Sequence, residues 1–424
     1  MKPLAQDHRV LFQSGDPENI CAYSPGIWRC PNGRIVATMD VGSLRQNEKP
    51  NPDGSPKPAH EGLVCQVMTS DDGGQSWTHR ADLDLYHGRP LAAGGRLYVL
   101  GHRGDLKIAR SNDNGISWSG AHLLTDGEFW HQAPANVWHA HGCVYLVMER
   151  RKTDRVNGWY PSELQPVVMR AKADEDLTLP EAWTLADAPA FHEVIDDTGF
   201  DGFGIPFYPS RFPAIWMTPD GKRGAAPIGW LETNIVQILD RNHVWYDPTG
   251  RTFHLWMRAH TGLTNYALVA RVREAGPNPG EGAMTFGFEA APSGVRLCYL
   301  PTPGGQMKFH LLHDGTTATY WLLSSQATDS MRRLETLPSD RYGLADNQRS
   351  RLQLHFSTNL VDWVFAGMVA IGETANCARH YASMAIDGDD LVVLSRSGDR
   401  KARNAHDTNL ITFHRIQDFR SLIY

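Results

Sequence analysis

Short hydrophobic runs separated by glycine, aspartate and asparagine recur along most of the chain. Runs such as RIVATMDV, LVCQVMTS, CVYLVMER and LVVLSR are rich in β-branched residues, and almost no window keeps a helical period. Runs of this kind, bounded by turn residues, are typical of β-strands. Many short strands at even spacing predict an all-β protein, either a propeller or a large sandwich.

One repeated turn motif separates these two folds. Residues 70–77 and 111–118 share the pattern S-x-D-x-G-x-S-W, and their starts lie 41 residues apart. A propeller repeats one four-stranded sheet per blade, with a period of about 40 to 45 residues. Residues 357–363 form a shortened third copy without the glycine. The repeat therefore favours a β-propeller.

The residue types of the motif suit a hairpin turn. Asp72 is expected to accept hydrogen bonds from the amides of the turn, and Gly74 to supply the positive φ that the turn needs. Trp77 is expected to pack between sheets while the serine hydroxyl closes the loop. The motif is therefore interpreted as structural rather than catalytic.

The pattern resembles the Asp-box of the sialidase superfamily, whose members are six-bladed β-propellers. The order of four further residues is similar to that family: Glu232 in GWLETNIVQI, Arg258 in FHLWMRA, Arg349 in NQRSRLQLHFS and Tyr381 in HYASMAIDGDD. The resemblance spans roughly residues 20–415. It implies a six-bladed propeller with its pocket on the channel axis, and we expect one such domain over residues 1–424. The last strand, ITFHR, is expected to close the ring against the first blade.

The resemblance also implies a role for each of these residues. Tyr381 corresponds to the nucleophile, Glu232 to the base that draws away its proton, and the two arginines, Arg258 and Arg349, to groups that hold an acid substituent. A phenol is a poor nucleophile at its ordinary pKa near 10 and needs such a base. A neutral nucleophile suits a substrate with a carboxylate beside the reacting carbon, because an aspartate or glutamate there would be repelled.

The first blade departs from the family pattern. The family has an aromatic-Arg-Ile-Pro motif there, but residues 22–28 read AYSPGIW, with Ser24 at the position of the arginine. Serine offers one neutral hydrogen bond where arginine offers a bidentate charged contact, so standard sialosides are expected to be poor substrates. The acid/base aspartate of the family corresponds here to the pair His60 and Glu61. We expect Glu61 to be the acid/base and His60 a substrate contact.

A histidine-rich hairpin supplies further candidates. The segment GEFWHQAPANVWHAHGCVYLVMERR places His131 beside Trp130 and ends near Glu149. Histidine can act as acid or base near neutral pH, and aromatic rings beside polar groups orient sugars. His131 is therefore a catalytic candidate, and Glu149, Asn234 and Arg396 are candidates for binding. The histidine spacing matches no standard metal motif such as H-E-x-x-H, so no metal or cofactor is expected.

Composition excludes some partners. The chain has 424 residues, a net charge of -6 at pH 7 and a pI of about 6.3, without a basic block that carries interleaved aromatics. A nucleic-acid partner is therefore not expected. No run of about 18 apolar residues and no export signal is visible, and the six cysteines form no CxxC pair. These features predict a cytoplasmic protein with reduced thiols and no membrane partner, and leave its oligomeric state open.

Three functions remain open, all with an acidic oligosaccharide or glycoside as the partner. The first is a retaining, sialidase-like exo-glycosidase that hydrolyses the bond of an acidic sugar other than a standard sialoside. The second is a polysaccharide lyase on a propeller, with tyrosine and histidine as base and acid and arginine neutralising a uronate. The third is a glycan-binding propeller whose active site has decayed. Loss of the first-blade arginine fits decay, but the ordered retention of the other four residues does not.

Overall fold

The computed structural model describes residues 2–43, 62–155, 159–194, 228–261, 264–294, 296–330, 332 and 347–424, with two short strands between 214 and 226. Six antiparallel sheets of four or five strands form the blades of a six-bladed β-propeller. Strand β1 (Arg9–Gln13) precedes the first blade. The blade strands follow in chain order. Blade one contains β2 (Cys21–Arg29), β3 (Ile35–Gly42), β4 (Leu63–Ser70) and β5 (Thr78–Leu83); blade two contains β6 (Tyr86–Ala93), β7 (Arg96–Arg103), β8 (Asp105–Ser111) and β9 (His122–Leu123).

The remaining blades keep the same order from the innermost to the outermost strand. Blade three contains β10 (Trp130–His131), β11 (Trp138–Ala140), β12 (Cys143–Arg151), β13 (Leu164–Lys172) and β14 (Trp183–Asp187). The hairpin β15 (Ala214–Met217) and β16 (Arg223–Ala226) precedes blade four, which contains β17 (Gly229–Val236), β18 (Thr252–His260), β19 (Tyr266–Glu274) and β20 (Met284–Gly287). The hairpin β21 (Glu289–Ala290) and β22 (Arg296–Leu297) follows, and β23 (Tyr299–Pro301) joins β19. Blade five contains β24 (His310–Asp314), β25 (Thr319–Ser325), β26 (Arg351–Ser357) and β27 (Val364–Ile371); blade six contains β28 (Arg379–Asp387), β29 (Asp390–Ser397) and β30 (Leu410–Ile416).

Helix is scarce in the described part of the chain, in agreement with the sequence prediction. The helical elements are α1 (Phe191–Val194) and short 3-10 turns at Pro161–Glu163, Pro180–Ala182 and Phe419–Leu422. Among the described residues, no helix has the length and apolar character needed to span a bilayer.

The two ends of the chain close the ring inside blade six. Strand β1 pairs with β30, with Arg9 opposite Phe413 and Gln13 opposite Leu410, and so becomes the outermost strand of that blade. As expected, ITFHR packs against the first blade, because Ile411 and Phe413 share an apolar cluster with residues of that blade, but its hydrogen-bonded partner is another strand. That segment lies in β30, and its neighbour is the N-terminal strand that precedes blade one. Backbone groups of both ends are thereby satisfied in one sheet.

The core lies between neighbouring blades. One apolar cluster joins strands of blades three and four around Tyr145 and Phe253, whose ring centroids are 4.2 Å apart, and another joins blades one and six. Trp130, Trp230, Trp256 and Trp321 are completely buried. Burying a large apolar side chain stabilises a fold by about 1.5–3 kcal/mol, so these interfaces hold the blades in a fixed ring. All six cysteines are buried and free, as predicted.

The repeated motif forms the predicted turn. In blade one, Asp72 accepts hydrogen bonds from the amide and hydroxyl of Ser76 at 2.9 and 2.6 Å, and the hydroxyl of Ser70 accepts one from the amide of Gly74 at 2.8 Å. Gly74 has a φ of 89°, and a Cβ there would lie 2.3 Å from the ring of Phe413 in blade six. The Trp77 ring meets the same phenylalanine edge-on at 5.5 Å. The turn therefore fastens one blade to the next.

Candidate active site

Four innermost strands contain a non-glycine residue in the left-handed region of the backbone. The residues are Ser24, His87, Glu232 and Tyr381, with φ values of 46°, 56°, 56° and 49°. Each lies where the pairing of its strand with the next strand shifts register, so each is the centre of a β-bulge. A bulge redirects a side chain, and a left-handed non-glycine residue costs about 1–3 kcal/mol. We call these four the bulge residues.

Glu232, Arg258 and Tyr381 form one hydrogen-bonded group. Nη1 of Arg258 donates to Oε2 of Glu232 at 3.1 Å and to the Tyr381 hydroxyl at 2.8 Å. Nε of Arg258 donates to the carbonyl of Gln306 at 2.7 Å, which fixes the plane of the guanidinium. The Tyr381 hydroxyl also hydrogen-bonds Glu232. The structure thus brings together three residues that are distant in the sequence and that the resemblance assigned to one site.

The Tyr381 hydroxyl lies in an environment with opposing electrostatic effects. Burial raises the pKa of Tyr381, and the positive charge of Arg258 lowers it. Glu232 raises it again, both by its charge and by accepting the phenol proton in a hydrogen bond. The phenol is therefore held neutral at rest, with a proton acceptor in contact and a cation beside the oxygen that becomes charged when the proton leaves.

Two more arginines face the Tyr381 ring. The guanidinium carbon of Arg349 lies 5.6 Å from the ring centroid and that of Arg396 lies 5.2 Å from it. Arg349 donates to Asn347 at 2.9 Å and to Nδ1 of His380 at 3.0 Å. Burial lowers the pKa of Arg349 to about 10, so the side chain stays charged at neutral pH. We call Arg258, Arg349 and Arg396 the arginine cluster.

Arg396 reaches this place from blade six by stacking on an aromatic ring of blade one. Its guanidinium carbon lies 4.3 Å from the centroid of Tyr23, and Nη2 donates to the carbonyl of His406. The Tyr23 hydroxyl hydrogen-bonds Asp407 at 3.1 Å. Nε of Arg396 is buried and has no hydrogen-bond partner among the residues that the structure describes. Arg396 therefore keeps a donor available for a bound group.

A group of histidines with neighbouring rings lies near Arg258. Ring centroids of His87 and His102 are 5.3 Å apart, and those of His87 and His131 are 5.5 Å apart. Trp159 meets the His131 ring at 5.4 Å. Burial lowers the pKa of His131 to about 4, and the charge of Arg258 acts in the same direction. These histidines, which we call the histidine cluster (His87, His102, His131), therefore face the same central space as Arg258.

Comparison with known proteins places this geometry in a known fold. No protein-family model and no curated protein matches the chain. The Hadza microbial sialidase Hz136 superposes with a TM-score of 0.54 at 15% identity, over 97% of this chain and 68% of that one. The Trypanosoma rangeli sialidase superposes with a TM-score of 0.51 at 13% identity, over 98% and 60%. The fold is that of the sialidases.

The likeness extends to a protein whose activity is not known. A protein of unknown function from Dyadobacter fermentans superposes with a TM-score of 0.54 at 12% identity, over 97% of this chain and 98% of that one. At such identities the comparisons show the fold alone, because one propeller fold hosts many chemistries. The predicted six-bladed propeller is confirmed, and the function has to be argued from the site.

The structure gives three predicted binding residues a different environment from the one expected. Asn234 links blades four and five, because its amide donates to the Phe309 carbonyl at 3.2 Å and accepts from the Leu311 amide at 3.0 Å. Glu149 accepts from the amide and hydroxyl of Thr233 at 3.0 and 2.8 Å. Both side chains thus make hydrogen bonds between neighbouring blades, and their binding role stays a prediction. Ser24 is buried beside Tyr23, and its hydroxyl has no hydrogen-bond partner in the described part of the chain.

The structure does not describe two of the predicted site residues, and it adds one residue that the sequence analysis did not select. His60 and Glu61 lie outside the described residues. The sequence analysis chose His131 among the histidines at blade turns and did not select His87, which belongs to the bulge residues together with Glu232 and Tyr381. The signal that exposes it is its position on the innermost strand of a blade, and that position becomes visible only when the strands are aligned in space.

A separate cavity lies at the other end of the channel. It has a volume of about 430 Å³ and is lined by the later halves of the innermost strands, including Trp28, Trp138 and His313. Its lining does not include the bulge residues that carry ionisable side chains. We assign the site to the end with Tyr381, because charged groups converge there. Among the described residues, no three histidine, cysteine or acidic side chains are grouped to hold a metal.

Proposed function

We propose that this protein is a retaining exo-glycosidase that acts on an acidic sugar, with Tyr381 as its nucleophile. The observation that carries the proposal is the contact of one buried phenol with a carboxylate and a guanidinium, inside a cluster of three arginines. The sialidase fold of its structural neighbours supports a carbohydrate as the substrate.

The contacts suit covalent catalysis by Tyr381. As the phenol oxygen attacks the anomeric carbon, its proton passes to Glu232, which already accepts its hydrogen bond. The Arg258 guanidinium, 2.8 Å from the same oxygen, stabilises the charge that develops on it. The glycosyl group then remains on Tyr381 until water releases it, so the anomeric configuration is retained.

The charge balance around Tyr381 favours an anionic sugar. The arginine cluster brings three positive charges to the Tyr381 side chain. Among the described residues, two carboxylates lie nearby: that of Glu232 pairs with Arg258, and that of Asp407 accepts from the Tyr23 hydroxyl. Burying an uncompensated cation is unfavourable, so a bound carboxylate or sulfate would relieve the imbalance. Each charged hydrogen bond to such a group is worth about 1.5–3 kcal/mol.

Replacing Tyr381 by phenylalanine tests the proposal. Tyr381→Phe removes only the oxygen, so kcat/KM on an acidic glycoside should fall at least about a thousandfold while binding of the intact substrate changes little. Tyr424→Phe is the matched control: Tyr424 is exposed, so this variant should leave kcat/KM unchanged. An activated acidic glycosyl fluoride that turns over slowly should add its glycosyl mass to the peptide that contains Tyr381.

Two outcomes of this experiment assign other functions. Full turnover by Tyr381→Phe would rule out Tyr381 as the nucleophile. Tight binding of acidic oligosaccharides by the wild type, without turnover of any member of a broad panel, would make the protein a glycan-binding propeller.

A lyase is the second candidate, and the histidine cluster beside Arg258 favours it. In a lyase, arginine neutralises the uronate carboxylate, and tyrosine and histidine exchange the protons of an elimination. The product is an unsaturated uronate that absorbs ultraviolet light, whereas a hydrolase leaves no such group. Absorbance during digestion of a uronate polysaccharide therefore distinguishes the two activities.

A further inference from the structure

The bulge residues include the proposed nucleophile and base, Tyr381 and Glu232, and one further ionisable side chain. Three of the four bear an ionisable side chain, and these three are on alternate blades: His87 on blade two, Glu232 on blade four and Tyr381 on blade six. The fourth, Ser24, is on blade one. His87 is the only one of the three that the proposed function leaves without a task.

Each of the three ionisable bulges is held by a buried residue with an ionisable side chain from the blade before it. Asp40 of blade one accepts the backbone amide of His87 at 2.9 and 3.0 Å. Glu149 of blade three accepts the amide and hydroxyl of Thr233, the residue after Glu232, at 3.0 and 2.8 Å.

Lys308, which leads into blade five, holds the third bulge. It donates to the carbonyl of Ala382, the residue after Tyr381, at 2.5 Å and to the hydroxyl of Ser383 at 3.0 Å. Asp40, Glu149 and Lys308 are all at most 1% exposed. We call these three the clamp residues.

The clamp residues are costly to place, so their repetition is informative. A buried ionisable group loses its hydration, and a left-handed non-glycine residue adds backbone strain. Such arrangements persist where the surrounding structure must aim one side chain accurately, and they cluster at active sites. Two of the three arrangements hold the residues proposed as base and nucleophile. The third holds His87.

We propose that His87 is the acid/base of the reaction, the group that exchanges a proton with the leaving-group oxygen and then with water. This inference rests on the proposed glycosidase function. His87 is half-buried, its ring contacts those of His102 and His131, and its backbone amide is held by Asp40. Its neighbour His131 lies close enough to Arg258 for their charges to interact. His87 is therefore linked to the surroundings of Arg258 through the ring of His131.

The proton balance closes with His87 in this role. In the first step the Tyr381 oxygen bonds to the anomeric carbon, and the phenol proton moves to Glu232. The bond to the leaving oxygen breaks, and that oxygen takes its electron pair and a proton from the ring of His87. In the second step neutral His87 takes a proton from water, whose oxygen bonds to the anomeric carbon. Tyr381 leaves as phenolate and recovers its proton from Glu232.

Leaving-group dependence tests this role separately from the nucleophile. Two substrates with the same acidic sugar are compared, one with a 4-nitrophenol leaving group and one with a sugar alcohol. His87→Asn is the test variant, because asparagine tolerates the left-handed backbone at this position. The variant should lose at least about a hundredfold in kcat/KM on the alcohol and under about tenfold on the nitrophenyl glycoside, which needs no acid. Azide, an anionic nucleophile that needs no base, should speed its second step and yield a glycosyl azide.

Controls separate the possible failures. His122→Asn, at an exposed histidine on β9, should behave as the wild type on both substrates. If His87→Asn keeps the wild-type melting temperature and its kcat/KM falls by the same factor on both substrates, or does not fall, the proposal is overturned. If instead Glu61→Gln shows the leaving-group dependence and azide rescue, Glu61 is the acid/base. Failure of the wild type to cleave either substrate would overturn the glycosidase function itself, and with it the role of His87.

Discussion

Arg396 illustrates at the scale of one residue how the site compensates for a departure from the sialidase pattern that the sequence resembles. Ser24 removes the guanidinium that the resemblance places on blade one, yet a third guanidinium still reaches the Tyr381 ring. It comes from β29 of blade six and is held by stacking on Tyr23 at 4.3 Å. Stacking and bidentate donation both use the planar guanidinium, so lysine cannot replace it there.

Lysine substitutions in the arginine cluster should therefore weaken substrate binding. Arg396→Lys and Arg349→Lys each keep the charge but lose the planar donor pair, and each should raise KM for an acidic glycoside about 10- to 100-fold. Arg400→Lys, at an exposed arginine paired with Glu373, is the control. Steady-state kinetics on the acidic glycoside and on its uncharged analogue check the effect. Equal changes on both substrates would mean that the cluster does not bind the acid group.

Part of this site could be predicted from the sequence, because some of its chemistry is ordered along the chain. Glu232, Arg258 and Tyr381 follow the order of a known family, and the structure brings them within hydrogen-bonding distance. His87 could not be selected, because a histidine in a YHGRP turn has no distinguishing neighbours in the sequence. His87 and Glu232 occupy equivalent positions on the innermost strands of their blades, and this equivalence is visible only in the folded structure.

At the scale of elements, the innermost strands carry strain that the clamp residues offset. Glu149 on β12 is completely buried and binds Thr233 through Oε1, whereas none of the described residues hydrogen-bonds its Oε2. Burial raises the pKa of Glu149 to about 8. The neutral acid is therefore favoured in the folded protein, and the unfolded chain ionises at its ordinary, lower pKa.

This shift predicts how stability changes with pH. Because the folded state keeps the proton and the unfolded state loses it, the contribution of Glu149 to stability is present below about pH 4.5 and is lost as the pH rises towards about 8. Glu149→Gln cannot ionise. Its free energy of unfolding, relative to the wild type, should rise by at least about 1 kcal/mol between about pH 5 and about pH 8.

Urea unfolding at several pH values measures this difference. Glu175→Gln, at an exposed glutamate, should give a difference from the wild type that does not change with pH. A constant difference for Glu149→Gln as well would show that Glu149 is ionised in the folded protein, and its role as a clamp would have to rest on a charged carboxylate.

The strands themselves were the most predictable elements. Their hydrophobic runs, and the turn residues between them, depend on short stretches of chain. The shortened third motif keeps its turn without glycine, because Leu360 adopts the left-handed conformation with a φ of 66° and donates to Ser357 at 2.8 Å. The clamps could not be predicted, since each joins residues from two blades, such as Glu149 and Thr233.

At the scale of the whole molecule, the N-terminal segment fastens the last two blades. The amides of Leu4 and Ala5 donate to carbonyls of β27 in blade five, and β1 completes blade six. The Gln6 side chain makes two hydrogen bonds of 2.9 Å with the backbone of Ile371. The ring is thus closed by hydrogen bonds between the N-terminal segment and two blades formed late in the chain.

Removing this side chain should therefore lower global stability. Gln6→Ala loses two hydrogen bonds and should reduce the free energy of unfolding by about 1–3 kcal/mol. Gln75→Ala, at an exposed glutamine in the first turn motif, should change it little. Thermal and urea unfolding measure both variants. Equal stability of the two would mean that the segment is dispensable for closure.

The direction from which the third arginine arrives predicts the choice of substrate. As the resemblance implies for sialosides, a set of three arginines with one member on blade one holds a carboxylate on the reacting carbon. Here blade one offers the buried hydroxyl of Ser24, and the third guanidinium comes from blade six at Arg396. On the proposed function, we therefore expect a carboxylate at another ring position, as in a uronide, to suit this arrangement better. The wild type should therefore have a kcat/KM on a uronide at least about tenfold higher than on a sialoside, since one charged hydrogen bond is worth about 1.5–3 kcal/mol.

Exchanging the residue on blade one should reverse this preference. Ser24→Arg adds a cation where the sialoside carboxylate would lie and crowds the uronide, so the ratio of kcat/KM should move towards the sialoside. Ser24→Ala removes the hydroxyl without adding charge and should leave the ratio near that of the wild type. The measurement is kcat/KM of all three proteins on both substrates. Efficient sialoside cleavage by the wild type, or an unchanged ratio in Ser24→Arg, would show that the position of the third guanidinium does not select the sugar.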